Sequence, residues 1–98
     1  MVKHVILWKL KENLANPEQA KQEIKAKLEE LNGKIEGLLS LNVVINGLST
    51  STADLMLDSA FESFDALKYY ATHPLHVAVA NGVVRPNVEV RLCLDYEE

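Results

Sequence analysis

Residues 55–80 read "LMLDSAFESFDALKYYATHPLHVAVA", and within this stretch the hydrophobic pattern changes from the period of a strand to that of a helix. The first seven residues alternate, which predicts a strand with one face formed by Leu55, Leu57, Ser59 and Phe61. Ser63 is a typical helix N-cap, and a helix is predicted to follow it. Pro74 removes a backbone donor and biases His73 towards extended geometry, so we expect a break there and a second helical piece.

The segments before this stretch show the same two periods. "VKHVILWKL" (residues 2–10) predicts a strand with one face formed by His4, Ile6, Trp8 and Leu10. Asn16 as N-cap and Pro17 at the first helical position predict a helix that stops at Asn32-Gly33. "LLSLNVVIN" (residues 38–46) predicts a second strand after that helix.

The last segment, "NVEVRLCLDY" (residues 87–96), predicts a fourth strand. We expect its helix-covered face to consist of the apolar set Val88, Val90, Leu92, Leu94 and Tyr96. Cys93 is expected on the opposite face, as an inert packing residue.

The resulting order is β-α-β-β-α-β, which predicts one α+β domain, residues 1–98, with a ferredoxin-like sandwich fold. Two helices would cover one face of an antiparallel four-stranded sheet. The opposite face is more apolar than a face open to water, and its apolar residues are Val5, Leu7, Val44, Met56, Ala60 and Cys93. We therefore expect two chains to pack face to face as a homodimeric α+β barrel.

Composition excludes several classes of protein. The 98 residues carry a net charge of −4, so the chain lacks the basic balance of a nucleic-acid-binding protein. No apolar run approaches the roughly 20 residues that cross a membrane, and the opening segment is expected to be a strand of the mature protein. The single cysteine, Cys93, cannot form an internal disulfide, which favours a cytoplasmic location.

Three segments resemble the stress-responsive A/B barrel domain (Dabb) family. They are "KHVILWKLKE" (residues 3–12), "LDSAFESFDALKYYATHPLHVAVA" (residues 57–80) and "LDY" (residues 94–96). The most specific combination is His4, the "FES" strand end and the YxxHPxHV segment, formed by Tyr70, His73, Pro74, His76 and Val77. Glu36 departs from the pattern, because relatives often have proline there.

The resemblance implies the dimeric α+β barrel fold and leaves the activity open. Many members have no assigned activity, whereas some plant members are polyketide cyclases that use no metal and no organic cofactor. In those cyclases the histidine matching His76 is the general base, the tyrosine matching Tyr70 assists it, and the histidine matching His4 lines the cavity.

The residues themselves are compatible with such chemistry. A neutral histidine with a pKa near neutrality can remove a proton next to a carbonyl, and a tyrosine hydroxyl can stabilise the developing oxyanion. We predict His76 and Tyr70 as catalytic residues of a cavity between the sheet and the second helix. The predicted ligand-binding residues of this cavity are His4, Ile6, Trp8, Leu57 and Val90.

Structural roles remain open for each of these residues. His76 and Tyr70 can equally be buried, hydrogen-bonded core residues, His4 can pair with a neighbouring carbonyl, and Trp8 can fill the cavity. We expect His73 to bind backbone groups at the helix break. His73 and His76 have a spacing that suggests a metal, but proline separates them and no third ligand is evident, so no metal and no cofactor is predicted.

Two functions follow from the sequence. The first is a small homodimeric A/B barrel protein that binds a small molecule or acts in stress, without assigned activity. The alternative is a cofactor-independent cyclase or lyase with His76 as general base. Either would take a small aromatic or polyketide-like ligand, and neither nucleic acid nor membrane is an expected partner.

Overall fold

The computed structural model describes all 98 residues as a four-stranded antiparallel sheet with helices on one face. The strands are β1 (Val2–Leu10), β2 (Leu38–Val44), β3 (Leu55–Phe61) and β4 (Val88–Glu97). The helices are α1 (Pro17–Glu29), α2 (Phe64–Thr72), α3 (Pro74–Val79) and a π-helical segment (Ala80–Val84). The strand order β2-β3-β1-β4 is that of the predicted ferredoxin-like fold, and the fold prediction is confirmed.

The core lies between the helices and one face of the sheet, called here the inner face. On β1 and β3 it has the predicted composition, because alternate residues of a strand point to the same side. Its buried residues on these two strands are Val2, His4, Ile6, Trp8, Leu10, Leu55, Leu57, Ser59 and Phe61. From α1 and the turn after it, Ile24, Leu28, Leu31 and Ile35 pack against this face. Each fully buried aliphatic side chain contributes about 1.5–3 kcal/mol to folding.

The free edge of β2 is capped by side chains of α1. Glu29 accepts a hydrogen bond from the Val43 N–H at 2.9 Å, and Lys25 donates to the Val43 carbonyl at 2.6 Å. Asn32 completes the edge, since its amide donates to the Leu41 carbonyl at 2.8 Å and accepts from the Leu41 N–H at 2.9 Å. These contacts occupy edge groups that would otherwise be free to pair with another strand.

The break between α2 and α3 is built as predicted. The Ser63 side chain accepts from the Ala66 N–H and caps α2. His73, the residue before Pro74, is extended, with φ −65° and ψ 134°. Its Nδ1 accepts a hydrogen bond from the Leu75 N–H at 3.1 Å and thereby caps α3. The predicted structural role of His73 is confirmed.

The π-helical segment ends the helical layer and leads into β4. Its wide turn is closed by the Arg85 N–H, which donates to the Ala80 carbonyl at 2.9 Å. The Asn87 side chain then donates to the Val83 carbonyl at 2.7 Å, and the Asn87 carbonyl accepts from the Lys11 N–H at 2.9 Å. π-Helical turns are rare and are frequent at functional sites.

The predicted faces of β4 are wrong over most of the strand. Arg91, Cys93 and Asp95 lie opposite the inward residues Trp8, Ile6 and His4 of β1, and therefore belong to the inner face. Leu94 lies opposite Val5, and Leu92 opposite Leu7, on the other side. A register shift between Lys9 and Leu10 places Val88 inward and Val90 outward. From Val90 to Tyr96 the residues predicted to share a face do share one, but alternation alone does not say which face the helices cover, and it does not reveal the register shift that separates Val88 from Val90.

The opposite, outer face of the sheet carries an exposed apolar surface. Its exposed members are Leu7, Val44, Val90, Leu92, Leu94 and Tyr96, and the Leu92 and Leu94 side chains are 64% and 65% exposed. Cys93 is not among them, which corrects the predicted set. Two charges on this face neutralise each other, since Lys3 Nζ lies 2.7 Å from Asp58 Oδ1. A hydrogen bond to Asp58 is the main cause that raises the pKa of Lys3.

None of the helices has the length and hydropathy that a membrane-spanning helix requires.

Candidate functional site

A cavity of about 270 Å³ lies between the inner face and the helical layer formed by α2, α3 and the π-helical segment. Ten of its fourteen lining residues are hydrophobic. They are Ile6, Trp8, Leu28, Leu57, Leu67, Tyr70, Ala71, Ala80, Val84 and Val88. The other four are His4, His76, Arg85 and Arg91. Trp8 forms part of the wall, and this space remains beside it.

The structure brings six of the seven predicted site residues to this cavity. They are His4, Ile6, Trp8, Leu57, Tyr70 and His76. Val90 is the exception: it does not line the cavity, and its side chain is 38% exposed on the outer face. Its predicted place is taken by Val88 and Arg91, because the register shift at Lys9/Leu10 turns Val90 outward.

Two buried hydrogen-bond donors in the cavity wall have no partner in the protein. They are the Trp8 indole Nε1 and the Tyr70 hydroxyl. Tyr70 is 1% exposed, and burial raises the pKa of its phenol well above the usual value, so it remains a protonated donor. A buried polar atom without a partner is rare in folded proteins, and both of these atoms belong to residues that line the cavity.

His76 lies beside Tyr70, with its ring centroid 4.2 Å from the tyrosine ring. Its Nδ1 is 3.2 Å from the Ala71 carbonyl, which can only accept, so Nδ1 carries the proton and Nε2 is left as an acceptor. Burial is the main cause that lowers the pKa of His76; the hydrogen bond to the Ala71 carbonyl opposes it, and the positive charges of Arg85 and Arg91 lower the pKa further. The imidazole is therefore neutral at neutral pH and can accept a proton.

His4 is buried, and its orientation is fixed by a carboxylate. Its Nδ1 pairs with Asp95 Oδ1, not with a neighbouring carbonyl as the sequence suggested. Its backbone carbonyl accepts from the buried Ser59 hydroxyl at 2.8 Å. A carboxylate at Nδ1 favours the tautomer whose Nε2 is an acceptor. Asp95 was missed because β4 was assigned the wrong face.

Cys93 lies next to this pair and not on the outer face. Its Sγ is 3.7 Å from His4 Nδ1 and 3.5 Å from Asp95 Oδ1. Histidine, cysteine and aspartate are residue types that bind transition metals, and this cluster was not anticipated. Burial and the Asp95 carboxylate raise the pKa of the Cys93 thiol, an effect that Arg91 partly offsets, so the group is a hydrogen-bonded thiol.

Arg85 and Arg91 were not predicted as site residues. Arg85 follows directly on the π-helical segment, and Arg91 lies opposite Trp8 in the sheet register. Neither forms a salt bridge: the ion pairs of the chain use lysine or histidine as the cation. One signal in the sequence could have found them, because they are the only two arginines of the chain and are six residues apart.

Together these groups present hydrogen-bond donors, the neutral imidazole of His76 and two cationic side chains around an apolar space. Such a site can hold an oxygen atom of a small organic molecule at the Tyr70 and Trp8 donors. It can also accept a proton at His76. The hydrophobic wall would hold the hydrocarbon part of the same molecule.

Known structures show the same fold over the whole chain. A dimeric protein of unknown function from Bacteroides fragilis is 33% identical, with 99% of this chain and 95% of that chain covered and a TM-score of 0.90. A protein from Arabidopsis thaliana is 27% identical, with 100% and 95% covered and a TM-score of 0.79. The hydroxynitrile lyase from Passiflora edulis is 16% identical, with 97% and 90% covered and a TM-score of 0.80, which shows the fold alone.

No curated protein matches the chain in sequence. The family model described as the stress responsive A/B barrel domain matches residues 2–98. The resemblance of the histidine and tyrosine motifs to that family is thus confirmed over the length of the chain. The chain belongs to the stress-responsive A/B barrel domain (Dabb) family.

Proposed function

We propose that this chain is a homodimeric A/B barrel protein that binds one small, mainly apolar molecule in the cavity. The observation that carries the proposal is the pair of unpartnered donors, Trp8 Nε1 and the Tyr70 hydroxyl, in a largely hydrophobic wall. A buried donor without a partner costs about 1–3 kcal/mol. A ligand oxygen that reaches either donor would supply a missing acceptor and recover part of that cost.

Binding is tested by the signals of Trp8, the only tryptophan of the chain. Its indole N–H gives a single resonance, and the neutral compound 3-phenylpropanamide is a suitable probe. We expect the probe to shift the Trp8 indole N–H and the His76 ring signals at millimolar concentration or below. Tyr70→Phe should weaken binding, whereas the exposed Tyr69→Phe should not. Absence of any shift, with this probe and with its carboxylic acid analogue, would remove the proposed function.

The proposed dimer uses the outer face of the sheet. A contiguous exposed apolar surface of this kind is typical of an interaction site, and the similar protein from Bacteroides fragilis is described as dimeric. Val5→Asp or Met56→Lys should give a monomer or insoluble protein in sedimentation experiments. Tyr69→Glu, a charge placed on the helical layer, should leave the dimer intact. A monomeric wild-type chain of 10.9 kDa would contradict the proposal.

The proposal includes a cytoplasmic location, as expected from the sequence. Its support is the single cysteine, which is a free thiol.

A second candidate function is cofactor-independent proton transfer, as in a lyase or cyclase. The observation that favours it is the neutral His76, with Nε2 free as an acceptor and its ring 4.2 Å from the ring of the buried Tyr70. His76 would take a proton from a carbon next to a carbonyl, and Tyr70 would donate to the resulting enolate oxygen. Deuterium exchange into the methyl group of acetophenone, lost in His76→Ala and kept in His73→Ala, would support it. Exchange at the uncatalysed rate would leave binding as the function.

A further inference from the structure

The two charged side chains that line the cavity, Arg85 and Arg91, are both positive. The four lining residues that are not hydrophobic are two histidines and two arginines, and no acidic side chain lines the space. This contrasts with the chain as a whole, which has 14 acidic residues, 10 lysines and arginines, and a net charge of −4. Both arginines of the chain therefore lie at the one cavity, in a protein that is otherwise acidic.

Neither guanidinium group has a carboxylate partner within the protein, and the Arg91 side chain hydrogen-bonds to the Cys93 thiol, whose pKa it lowers. No carboxylate forms a salt bridge with Arg85 or Arg91, although Asp95 lies on the same strand as Arg91 and pairs with His4 instead. Arg85 is held at the cavity by the wide π-helical turn, since its N–H donates to the Ala80 carbonyl. Arginine binds carboxylates through two parallel hydrogen bonds, a geometry that lysine does not offer.

The rest of the cavity fits a hydrocarbon group. Leu28, Leu57 and Leu67 line it, and its volume of about 270 Å³ has room for a compound of modest size. His76 is neutral there and does not need an anionic partner. A ligand with one apolar body and one anionic end thus matches both the wall and the two arginines.

We infer that the ligand of this cavity is a small apolar carboxylic acid, with its carboxylate bound by Arg85 and Arg91 and its hydrocarbon part in the leucine-lined space. The inference rests on the proposed binding function and adds the chemical class of the ligand. A phosphate monoester, which would present a doubly charged end to the same arginines, is the competing anion.

The test compares three probes of similar size by Trp8 fluorescence and by the indole N–H resonance. They are 3-phenylpropanoate, its neutral analogue 3-phenylpropanamide, and phenyl phosphate. At neutral pH we expect the acid to bind at least tenfold more tightly than the amide, and more tightly than phenyl phosphate. We also expect the affinity for the acid to fall as sodium chloride is added, because salt screens the arginine charges.

Variants test whether Arg85 and Arg91 supply the positive charge that binds the carboxylate. Arg85→Gln and Arg91→Gln should each weaken binding of 3-phenylpropanoate at least fivefold and weaken binding of the amide by a clearly smaller factor. Lys34→Gln removes one positive charge from an exposed residue without an ion pair, and it should leave both affinities unchanged. Arg91→Lys keeps the charge without the paired geometry and should show an intermediate loss. Both arginines are exposed, so these variants are expected to fold.

Equal affinity for the acid and the amide would overturn the inference and leave the proposed function standing. Tighter binding of phenyl phosphate, lost in the glutamine variants, would also overturn it, because the site would then be one for phosphate monoesters. If neither the acid nor the amide binds, both the inference and the proposed function fail.

Discussion

The layer between the helices and the sheet has two halves that use similar apolar residues differently. Where α1 packs over β2 and β3, Ile24 and Val43 are completely buried. The polar groups at that end are paired, as in the contacts of Glu29 and Asn32 with the edge of β2. Where α2 and the adjoining α3 face β1, a cavity remains and two buried donors are unpaired.

The comparison separates the part of this layer that stabilises the fold from the part that is suited to binding. The α1 half is filled and satisfied, which is what stability requires. The cavity half keeps unfilled space and unused hydrogen-bond donors, which cost stability and have value only if something binds. The predictions below test whether the two halves differ in this way.

The largest expected effect is on the filled half. Ile24→Ala should lower the free energy of unfolding by about 2–5 kcal/mol, because truncation leaves a cavity in a closely packed region. Leu67→Ala removes the same number of carbon atoms beside the existing cavity, and it should cost at least about 1 kcal/mol less. Chemical denaturation measures both. Equal losses would mean that the cavity half is packed as tightly as the other.

The second largest effect is expected at the free edge of β2, which side chains of α1 cap. Glu29→Gln should cost about 1–3 kcal/mol, since a charged acceptor to the Val43 N–H and to Lys25 is lost. The exposed Glu30→Gln, which loses only a surface pair with Lys27, is the control and should cost less than about 1 kcal/mol.

The Glu29→Gln variant should also change the pH dependence of stability. Burial of Glu29 tends to raise its pKa, but hydrogen bonds from Lys25 and from the Val43 N–H outweigh burial, so the pKa lies below its ordinary value of 4.5. The folded state therefore holds the proton less well than the unfolded state. This contribution is present above about pH 4.5 and is lost as the pH falls through the lower, folded-state pKa. The free energy of unfolding of Glu29→Gln should therefore fall less steeply than that of the wild type as the pH is lowered.

A smaller effect, of opposite sign, is expected in the cavity half. Tyr70→Phe removes a buried hydroxyl without a partner, so it should raise the free energy of unfolding by up to about 1 kcal/mol while weakening ligand binding. The exposed Tyr69→Phe should change neither quantity. A clear loss of stability in Tyr70→Phe would show that the hydroxyl has a partner in the folded protein.

The smallest effect concerns His76. Its pKa is lowered by burial below the ordinary value of 6.5, so the unfolded state binds a proton more readily. Stability should therefore be full above about pH 6.5 and decline as the pH falls through the folded-state pKa. NMR titration of the His76 ring should give a midpoint below 6.5. A midpoint above 6.5 would show that the His76 side chain is not buried in the free protein.

Most of the fold could be predicted from local signals. The N-caps Asn16 and Ser63 and the break at Pro74 lie where the sequence places them, because caps and proline act within a few residues. The inner faces of β1 and β3 were equally clear, since their alternation coincides with a strong apolar set. Tyr70 is buried and Tyr69 is exposed, as expected for adjacent residues of a helix with one face on the sheet.

The sequence by itself thus determined the order of the elements, the faces of the central strands and six residues that gather at the cavity. Only the tertiary structure decided the faces of β4, where the more apolar side points away from the helices and hydrophobicity selects the wrong one. Because this side of β4 faces the helices, Asp95 pairs with His4 and Arg91 lines the cavity. The wide turn that begins at Ala80 places Arg85 at the same cavity. The physical reason is that periodicity is a local property of the chain. Register across a sheet, and the pairing or isolation of a buried polar atom, depend on residues distant in sequence.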